Sequence, residues 1–516
     1  MAGVGWAAPT EFNYLERTIP DDEVPEWKPE MINQFNQDDI YVEMTFLRTL
    51  ELYGFDVSYE QAGIDFANSE YQLWHANKFG RDNLRKGIAP PDSGHPKFTQ
   101  HSDDIDYQIE ADYAGLIAPG MPNLAIELGE KFGRMMNYGD GLYAGQFVSG
   151  MYAAAFFETD IEMIINAGLA CIPKKSHYAR MVNDVIGWYK ENPDDWVKSW
   201  QKIEAKYQKD PEFRKYACDG PTHIANIDAK INGAYIVMGL LYGQGDPDKT
   251  MIVSMRCGQD SDCNPSSAAG ILFTSMGTEQ VPERFTSALD PEDTFSHTPY
   301  TFDKLVQVCQ KLARVAVVRS GGRVEMDATG KEVFVIPVKR AVPGQLQKSW
   351  LPGPTANSTF SKEQMAQIHA RPHLTAQQGL DLFAPGWKVT NCGDSLEPGL
   401  HSHLRGKGNV FATHPALDKT DCVLSKEVAV PDGNHTQLNL TVGHHENGDW
   451  ELIIKANGKE LKRVLIGDDG DENGWEDVTA DLSEYAGKTI ELELINHAND
   501  WNHEAAYWAK IEIVSQ

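Results

Sequence analysis

The sequence predicts a multi-domain chain, an all-α domain followed by an all-β sandwich, and three observations carry that reading. Apolar residues recur at three- and four-residue spacing over 123–137, 143–157, 160–170 and 178–190, the period that buries one face of a helix. Beyond Trp387 the pattern turns to alternation, in Leu438-Asn439-Leu440-Thr441-Val442, Trp450-Glu451-Leu452-Ile453-Ile454 and Ile490-Glu491-Leu492-Glu493-Leu494. Turns such as Asn457-Gly458 and Ala486-Gly487-Lys488 separate these short strands, as a sandwich requires. Between the two regions, residues 343–386 hold Pro352, Gly353, Pro354 and many Ser, Thr and Gln, so they read as a linker. A length of 516 residues exceeds one ordinary core and agrees with the division.

In chain order, the first strong helix follows Asp39, where Val42, Phe46, Leu47 and Leu50 alternate with Glu43, Arg48 and Glu51. The stretch 87–103 is long and rich in Pro, Gly and His, and loops of that length in a helical domain line sites. A further helix is expected after Asp262, with Asn264 as its cap, Pro265 at the first position and the small residues Ser266 to Gly270 behind it. Residues 323–342 alternate (Val333-Phe334-Val335-Ile336) and predict a closing hairpin. The expected domains are therefore 1–342 and 387–516.

Composition narrows the partners. Against 46 basic residues stand 75 acidic ones, a net charge of −29, which opposes phosphate-led nucleic-acid binding and docking on an anionic membrane. No run of about twenty apolar residues is present, so no membrane-spanning helix is expected. The seven cysteines show no CxxC pair and no zinc spacing. Cys392 and Cys422 read equally as one disulfide or as two free thiols.

Two acidic clusters hold the chemistry: Gln37-Asp38-Asp39 and, more than two hundred residues later, Asp260-Ser261-Asp262. Each precedes a helix. Alone, Asp38 and Asp39 read as helix caps; brought together with Asp260 and Asp262 they offer four carboxylates to a hard cation such as Mg²⁺. The segment Gly258-Gln259-Asp260-Ser261-Asp262-Cys263-Asn264, followed by its small-residue helix, resembles the C-terminal metal motif of the ADP-ribosylglycohydrolase family. Gln37-Asp38-Asp39 is similar to that family's first metal motif, usually Thr-Asp-Asp. Gly5-Trp6-Ala7-Ala8-Pro9-Thr10-Glu11-Phe12 resembles its first glycine-rich segment, which ends in a functional Glu. The likeness covers about residues 1–320, with all three motifs in order. Family members carry a helix upstream of this segment, so a start ahead of Met1, including a secretory signal, is expected, and a secreted or periplasmic location is favoured over a cytoplasmic one.

The resemblance implies an all-α ADP-ribosylglycohydrolase-like domain that hydrolyses N- or O-glycosidic bonds. It also implies two Mg²⁺ ions that orient sugar hydroxyls and water. Gln37, Asp38, Asp39, Asp260, Asp262 and Cys263 become the candidate metal-site residues, with Glu11 and Asp39 as the catalytic carboxylates. Cys263 stands where the family has a metal-binding Thr; a thiol suits Mg²⁺ poorly, which admits Mn²⁺. It also supports the alternative of a non-catalytic sugar-binding protein on a degenerate hydrolase fold. Where relatives that cleave ADP-ribose have a glycine-rich phosphate loop, this chain reads Asp106-Tyr107-Gln108-Ile109-Glu110-Ala111-Asp112-Tyr113-Ala114-Gly115. That acidic run disfavours a diphosphate. A family His is replaced within Asn137-Tyr138-Gly139-Asp140-Gly141. The substrate is therefore an ADP-ribose conjugate or an ordinary sugar or glycan, furanoside-like.

Trp74, His75, Asp104, Tyr113, Asn137 and Asp140 are the candidate substrate contacts. Trp74 reads also as a core residue, and His101, Asp103, Asp104 and Asp106 read also as a polar loop. Asn226 and Asp228 read as caps. In the sandwich, Asp481 to Lys488 with Ala506-Tyr507-Trp508 resembles galactose-binding-like jelly-roll modules. Trp475, Trp501 and Trp508 read as a sugar platform or as core. Asp469-Gly470-Asp471-Glu472-Asn473-Gly474 begins like a Ca²⁺ loop, but Ala480 stands where the closing Glu belongs.

Overall fold

The computed structural model describes residues 1–216, 223–369, 375–393, 395–417, 420–433, 435–467, 474–497 and 503–515. The chain forms two compact units, 1–372 and 373–516. The first is helical and the second is built from antiparallel sheets, as the two sequence periods require.

Two apolar cores hold the helical unit. One gathers Phe46, Leu47 and Leu50 of the helix Asp38–Tyr53 with Phe66, Tyr113 and Phe132. The other surrounds the helix Ala229–Gly243, which is buried at every position, and the helix Asp140–Ala155 beside it. A helix apolar on all sides belongs in such a centre. Small residues let neighbouring elements approach the helix Asp140–Ala155 closely: a Cβ on Gly145 would sit 2.2 Å from the ring of Tyr107. The expected hairpin is present, with Arg323–Met326 paired antiparallel to Glu332–Val335. No helix among the described residues is long and apolar enough to cross a membrane.

The linker reading of 343–386 needs correction. Residues 343–360 run as a strap over the helical unit, bonded at many points. Gln347 N donates to the Tyr143 hydroxyl (2.7 Å) and Gly353 N to the Tyr138 hydroxyl (3.1 Å). The Asp92 carboxylate accepts from Ala356 N and Ser358 N, both at 2.9 Å, and Trp350 stacks on His177 at 4.4 Å. Farther on, the helix Ala376–Phe383 packs by Leu380 and Phe383 into the sandwich core. Pro, Gly and Ser composition marks irregular backbone; whether it is tethered depends on distant partners that leave no periodic trace.

The sandwich consists of two five-stranded antiparallel sheets. One runs, edge to edge, Trp475–Asp481, Thr436–His444, Ala506–Ser515, Lys407–Thr413, Gly399–Leu404; the other runs Lys388–Thr390, Cys422–Ala429, Thr489–His497, Trp450–Ala456, Lys459–Ile466. Alternate residues such as Leu438, Leu440 and Val442 face Leu452, Ile454, Leu492 and Leu494 in one core. Trp508 lies in that core and donates to Thr413 Oγ1 (3.1 Å), and Trp475 is buried too, so neither forms an exposed sugar platform. Trp501 and the acidic run 469–473 lie outside the described residues. Cys392 and Cys422 form no disulfide and are thiols in hydrogen-bond contact.

Candidate active site: converging acidic loops

The helix Asp38–Tyr53 begins with both acids of the first cluster. Gln37, half-buried, precedes it without making a capping bond. Asp38 Oδ1 accepts from Asp39 N at 3.2 Å. The second cluster lies on the turn before the helix Cys263–Met276. That helix starts earlier than its Pro265 suggested, because proline fits anywhere in a first turn whose N–H groups lack partners. Asn264 is thus inside the helix, donating to Asn232 Oδ1 at 2.9 Å, rather than capping it.

The N-terminal motif is laced to the second cluster. Phe12 N donates to Gln259 O (3.0 Å), Gln259 N to Tyr14 O (3.1 Å), and the Thr10 and Ser261 hydroxyls meet at 2.8 Å. Gly258 permits this with φ +82°; a Cβ there would lie 2.4 Å from Tyr14 O. Likewise, a Cβ on Gly3 would strike the backbone of Ser266 at 2.4 Å. Glycines just ahead of the first motif and ahead of Asp260 therefore serve close backbone approach.

These contacts bring Glu11, Asp38, Asp39, Asp260 and Asp262 into one field. Burial, then the charges of Asp38 and Asp262, pushes Asp39 well above the usual carboxylate range. Burial and Glu11 do the same to Asp260, and burial, Asp260 and Asp38 to Asp262. Asp38 is raised by burial, partly offset by backbone N–H groups. Glu11 is raised first by the protein closing round it and then by Asp262, Asp38 and Asp39, yet its side chain stays open to solvent. A carboxyl at the mouth of a recess satisfies both observations. Burial and the Asp260 and Asp262 charges keep the Cys263 thiol protonated.

The donor set fits a divalent cation. Asp39 Oδ1, Asp260 Oδ1 and Asp262 Oδ1 are buried without a hydrogen-bond partner, a costly state unless a positive charge joins them. Ligand atoms of Asp260, Asp262 and Cys263 lie within 4.8 Å of one another. Oxygen donors in that number suit Mg²⁺ or Mn²⁺.

A second tier of acids lies behind Asp38 and Asp39. Asp106, pushed up to about 8 by burial and then by Asp104 and Asp38, accepts from Ala76 N (3.2 Å) and Asn77 N (2.8 Å) and so caps the helix His75–Arg85. Glu110 accepts from the Asn77 amide and is raised well above its usual range by burial, Asp106, Asp38 and Asp39. Asp112 accepts from the Tyr152 hydroxyl (2.6 Å) and is raised to about 7 by burial. The acidic run 106–115 announced these groups, but nothing local in it showed that they would face Asp38.

The candidate substrate contacts divide. Trp74 is partly exposed at the start of the helix His75–Arg85, and His75 and Asp104 lie 4.0 Å apart beside it. Tyr113, by contrast, is core, packed on Phe46 and Phe132. Asn137 is consumed by backbone: it donates to Ser102 O (3.0 Å) and Asp104 O (2.8 Å) and accepts from Tyr107 N (3.0 Å), fixing the loop 102–107. Asp140 is buried near Lys230 and accepts from Tyr178 N at 3.0 Å. Asp228 caps the helix Ala229–Gly243 through Lys230 N, as expected of it. Asn226 instead ties Gln259 to Gln208 (2.8 and 2.6 Å). A cavity of about 140 Å³ borders the cluster at Asp39, Glu43, Asp112 and Ser266. A larger one, about 680 Å³, lies under the strap at His95, Arg134, Tyr138 and Lys348; chemistry rather than volume places the site.

Residues 1–320 match the family model for ADP-ribosylglycohydrolase. A solved structure described as an ADP-ribosylglycohydrolase-related protein complex is 12% identical, with 61% of this chain and 95% of that chain covered and a TM-score of 0.35. TmCBM61 in complex with β-1,4-galactotriose is 15% identical over 28% of this chain and 100% of its own, with a TM-score of 0.21. The Stig cyclase Fisc from Fischerella sp. TAU is 13% identical over 25% and 84%, with a TM-score of 0.19. No curated protein matches the sequence. Structural scores this low carry no argument, whereas the family match spans more than half of the chain. The chain belongs to the ADP-ribosylglycohydrolase family, whose members hydrolyse glycosidic bonds.

Proposed function

We propose that this protein is a divalent-metal-dependent glycoside hydrolase whose reaction centre is the Asp38, Asp39, Asp260, Asp262 cluster with Glu11. The observation that carries the reading is the set of buried carboxylate oxygens on Asp39, Asp260 and Asp262 that have no partner. Mg²⁺ or Mn²⁺ held there would supply Lewis-acid charge beside a sugar diol and would lower the pKa of a nearby water. The four aspartates bind the cation, and their fixed helix-start positions set where the sugar hydroxyls lie. Glu11, open to solvent at the rim beside the cluster, is the acid/base and can exchange a proton with water or the leaving group. Asp39, at the head of its helix, helps orient the attacking water. Cys263 follows the aspartates at the head of its helix, and a sulfur donor there would favour Mn²⁺ over Mg²⁺ more than a Thr hydroxyl does.

The substrate class we favour is a sugar glycoside without a diphosphate. Asp106, Glu110 and Asp112 are buried and proton-retaining in the stretch where a phosphate cradle would be needed. These three carboxyls take hydrogen bonds from Ala76 N, Asn77 and Tyr152, and as acceptors they offer none of the backbone N–H donors that cradle a diphosphate. The test sets release of ADP-ribose from modified protein beside a panel of nitrophenyl furanosides and pyranosides, each with Mg²⁺, Mn²⁺ or chelator. Metal-dependent cleavage within the glycoside panel is expected. Cleavage of ADP-ribose alone would overturn the substrate class; cleavage that survives chelation would overturn the metal role.

A further inference from the structure

We propose that His75, His101 and Asp104 form a second metal site, for one divalent transition ion of the imidazole-preferring kind such as Zn²⁺ or Co²⁺, distinct from the aspartate cluster. Their ligand atoms lie within 4.8 Å of one another. His101 Nδ1 is 2.8 Å and His75 Nδ1 4.0 Å from Asp104 Oδ2, and the two imidazole centroids are 6.2 Å apart. Donors about 2.1 Å from a tetrahedral ion stand about 3.4 Å from each other. The contact of 2.8 Å is therefore near a coordination edge already, and a small turn of the half-exposed His75 ring closes the longer one. Two nitrogens and one carboxylate make a donor set that suits Zn²⁺, Co²⁺ or Fe²⁺, whereas Mg²⁺ takes oxygens.

The site is built rather than incidental. Asp104 is fully buried, its backbone N–H donating to His101 O (3.1 Å) and its carbonyl accepting from Asn137 (2.8 Å). Phe79 stacks on the His101 ring at 4.2 Å and 21°, fixing its plane. His75 sits in the left-handed region at φ +40°, a conformation that is strained for a non-glycine residue and persists where the surroundings impose it. They do so through Asp106, which binds the next two backbone N–H groups, Ala76 and Asn77. Because His75 is partly exposed, the ion keeps a face open to water or a ligand.

The test reads binding, so it stands apart from the hydrolase proposal. Full-length protein is stripped with chelator, saturated with Mg²⁺, and titrated with Co²⁺ while its visible absorption is followed. The wild type is expected to take up one Mg²⁺-resistant equivalent that Zn²⁺ displaces. His75→Ala should weaken it at least about tenfold, and His101→Asn about a hundredfold or more, with circular dichroism confirming that both variants are folded. Asp260→Asn should leave the spectrum as it is. Absence of that equivalent, its indifference to both histidine variants, or its loss in Asp260→Asn would each overturn the proposal.

Discussion

Two groups of buried acids in the helical unit face the same electrostatic problem and answer it differently. In the first, Asp103, Asp140 and Asp228 surround Lys230, whose Nζ lies 3.0 Å from Asp228 Oδ2 and 3.5 Å from Asp103 Oδ2. Burial pulls the lysine's pKa down, but the three carboxylates outweigh it and hold the ammonium charged. Ser349 of the strap donates to Asp103, Tyr178 N to Asp140 and Lys230 N to Asp228, and Asp228 Oδ2, which lacks a hydrogen bond, faces the Lys230 ammonium. In the second, Asp38, Asp39, Asp260 and Asp262 have no Lys, Arg or His ion-paired to them among the described residues, and three of their oxygens are unbonded. The first group is a structural knot. In the proposed function the second takes its compensating charge from a bound cation.

The contrast can be broken most forcefully at Lys230. Lys230→Met should cost about 3–5 kcal/mol, because it strands three carboxylates in a buried setting. Urea unfolding at neutral pH measures it, and a loss below about 1 kcal/mol would mean that the knot is not held by charge. A smaller effect tests the same knot through pH. Burial, opposed by Lys230 and reinforced by Asp103, raises Asp140 to about 7 from 3.8. An acid raised in the folded state favours folding fully below its unfolded pKa and loses that contribution as pH climbs through its folded one. Wild-type stability should therefore fall between about pH 4 and 7. Asp140→Asn, which keeps the acceptor for Tyr178 N, should flatten the fall by an amount on the order of 1 kcal/mol.

Much of this was legible in the sequence where information is local. Asp38 and Asp39 are adjacent, as are Asp260 to Cys263, and their helices follow in the chain, so the motifs announce both identity and position. Period alone separates the helical residues from the alternating strands after Trp387. What stayed hidden depends on which loops meet. His75 and His101 come from a helix start and a loop, with no metal-ligand spacing between them. Asn137 looked like a pocket residue because it lies in the segment where a family His is replaced; in fact its amide is spent on the backbone of 102–107. Tyr113 sits in the acidic run yet points into the Phe46 and Phe132 core. The strap at 343–360 has loop composition, and only its distant partners, Asp92, Tyr138 and Tyr143, reveal that it is tied down.

The most direct test is a calorimetric titration of chelator-stripped protein with Mg²⁺ and with Mn²⁺, run on the wild type and on Asp260→Asn. Uptake at the aspartate cluster is expected, weakened about a hundredfold in the variant, while the metal-free variant unfolds no more easily than the wild type because one repelling charge is gone. Wild-type protein that takes up neither ion, or a variant that takes them up equally well, would contradict the assignment of these four aspartates.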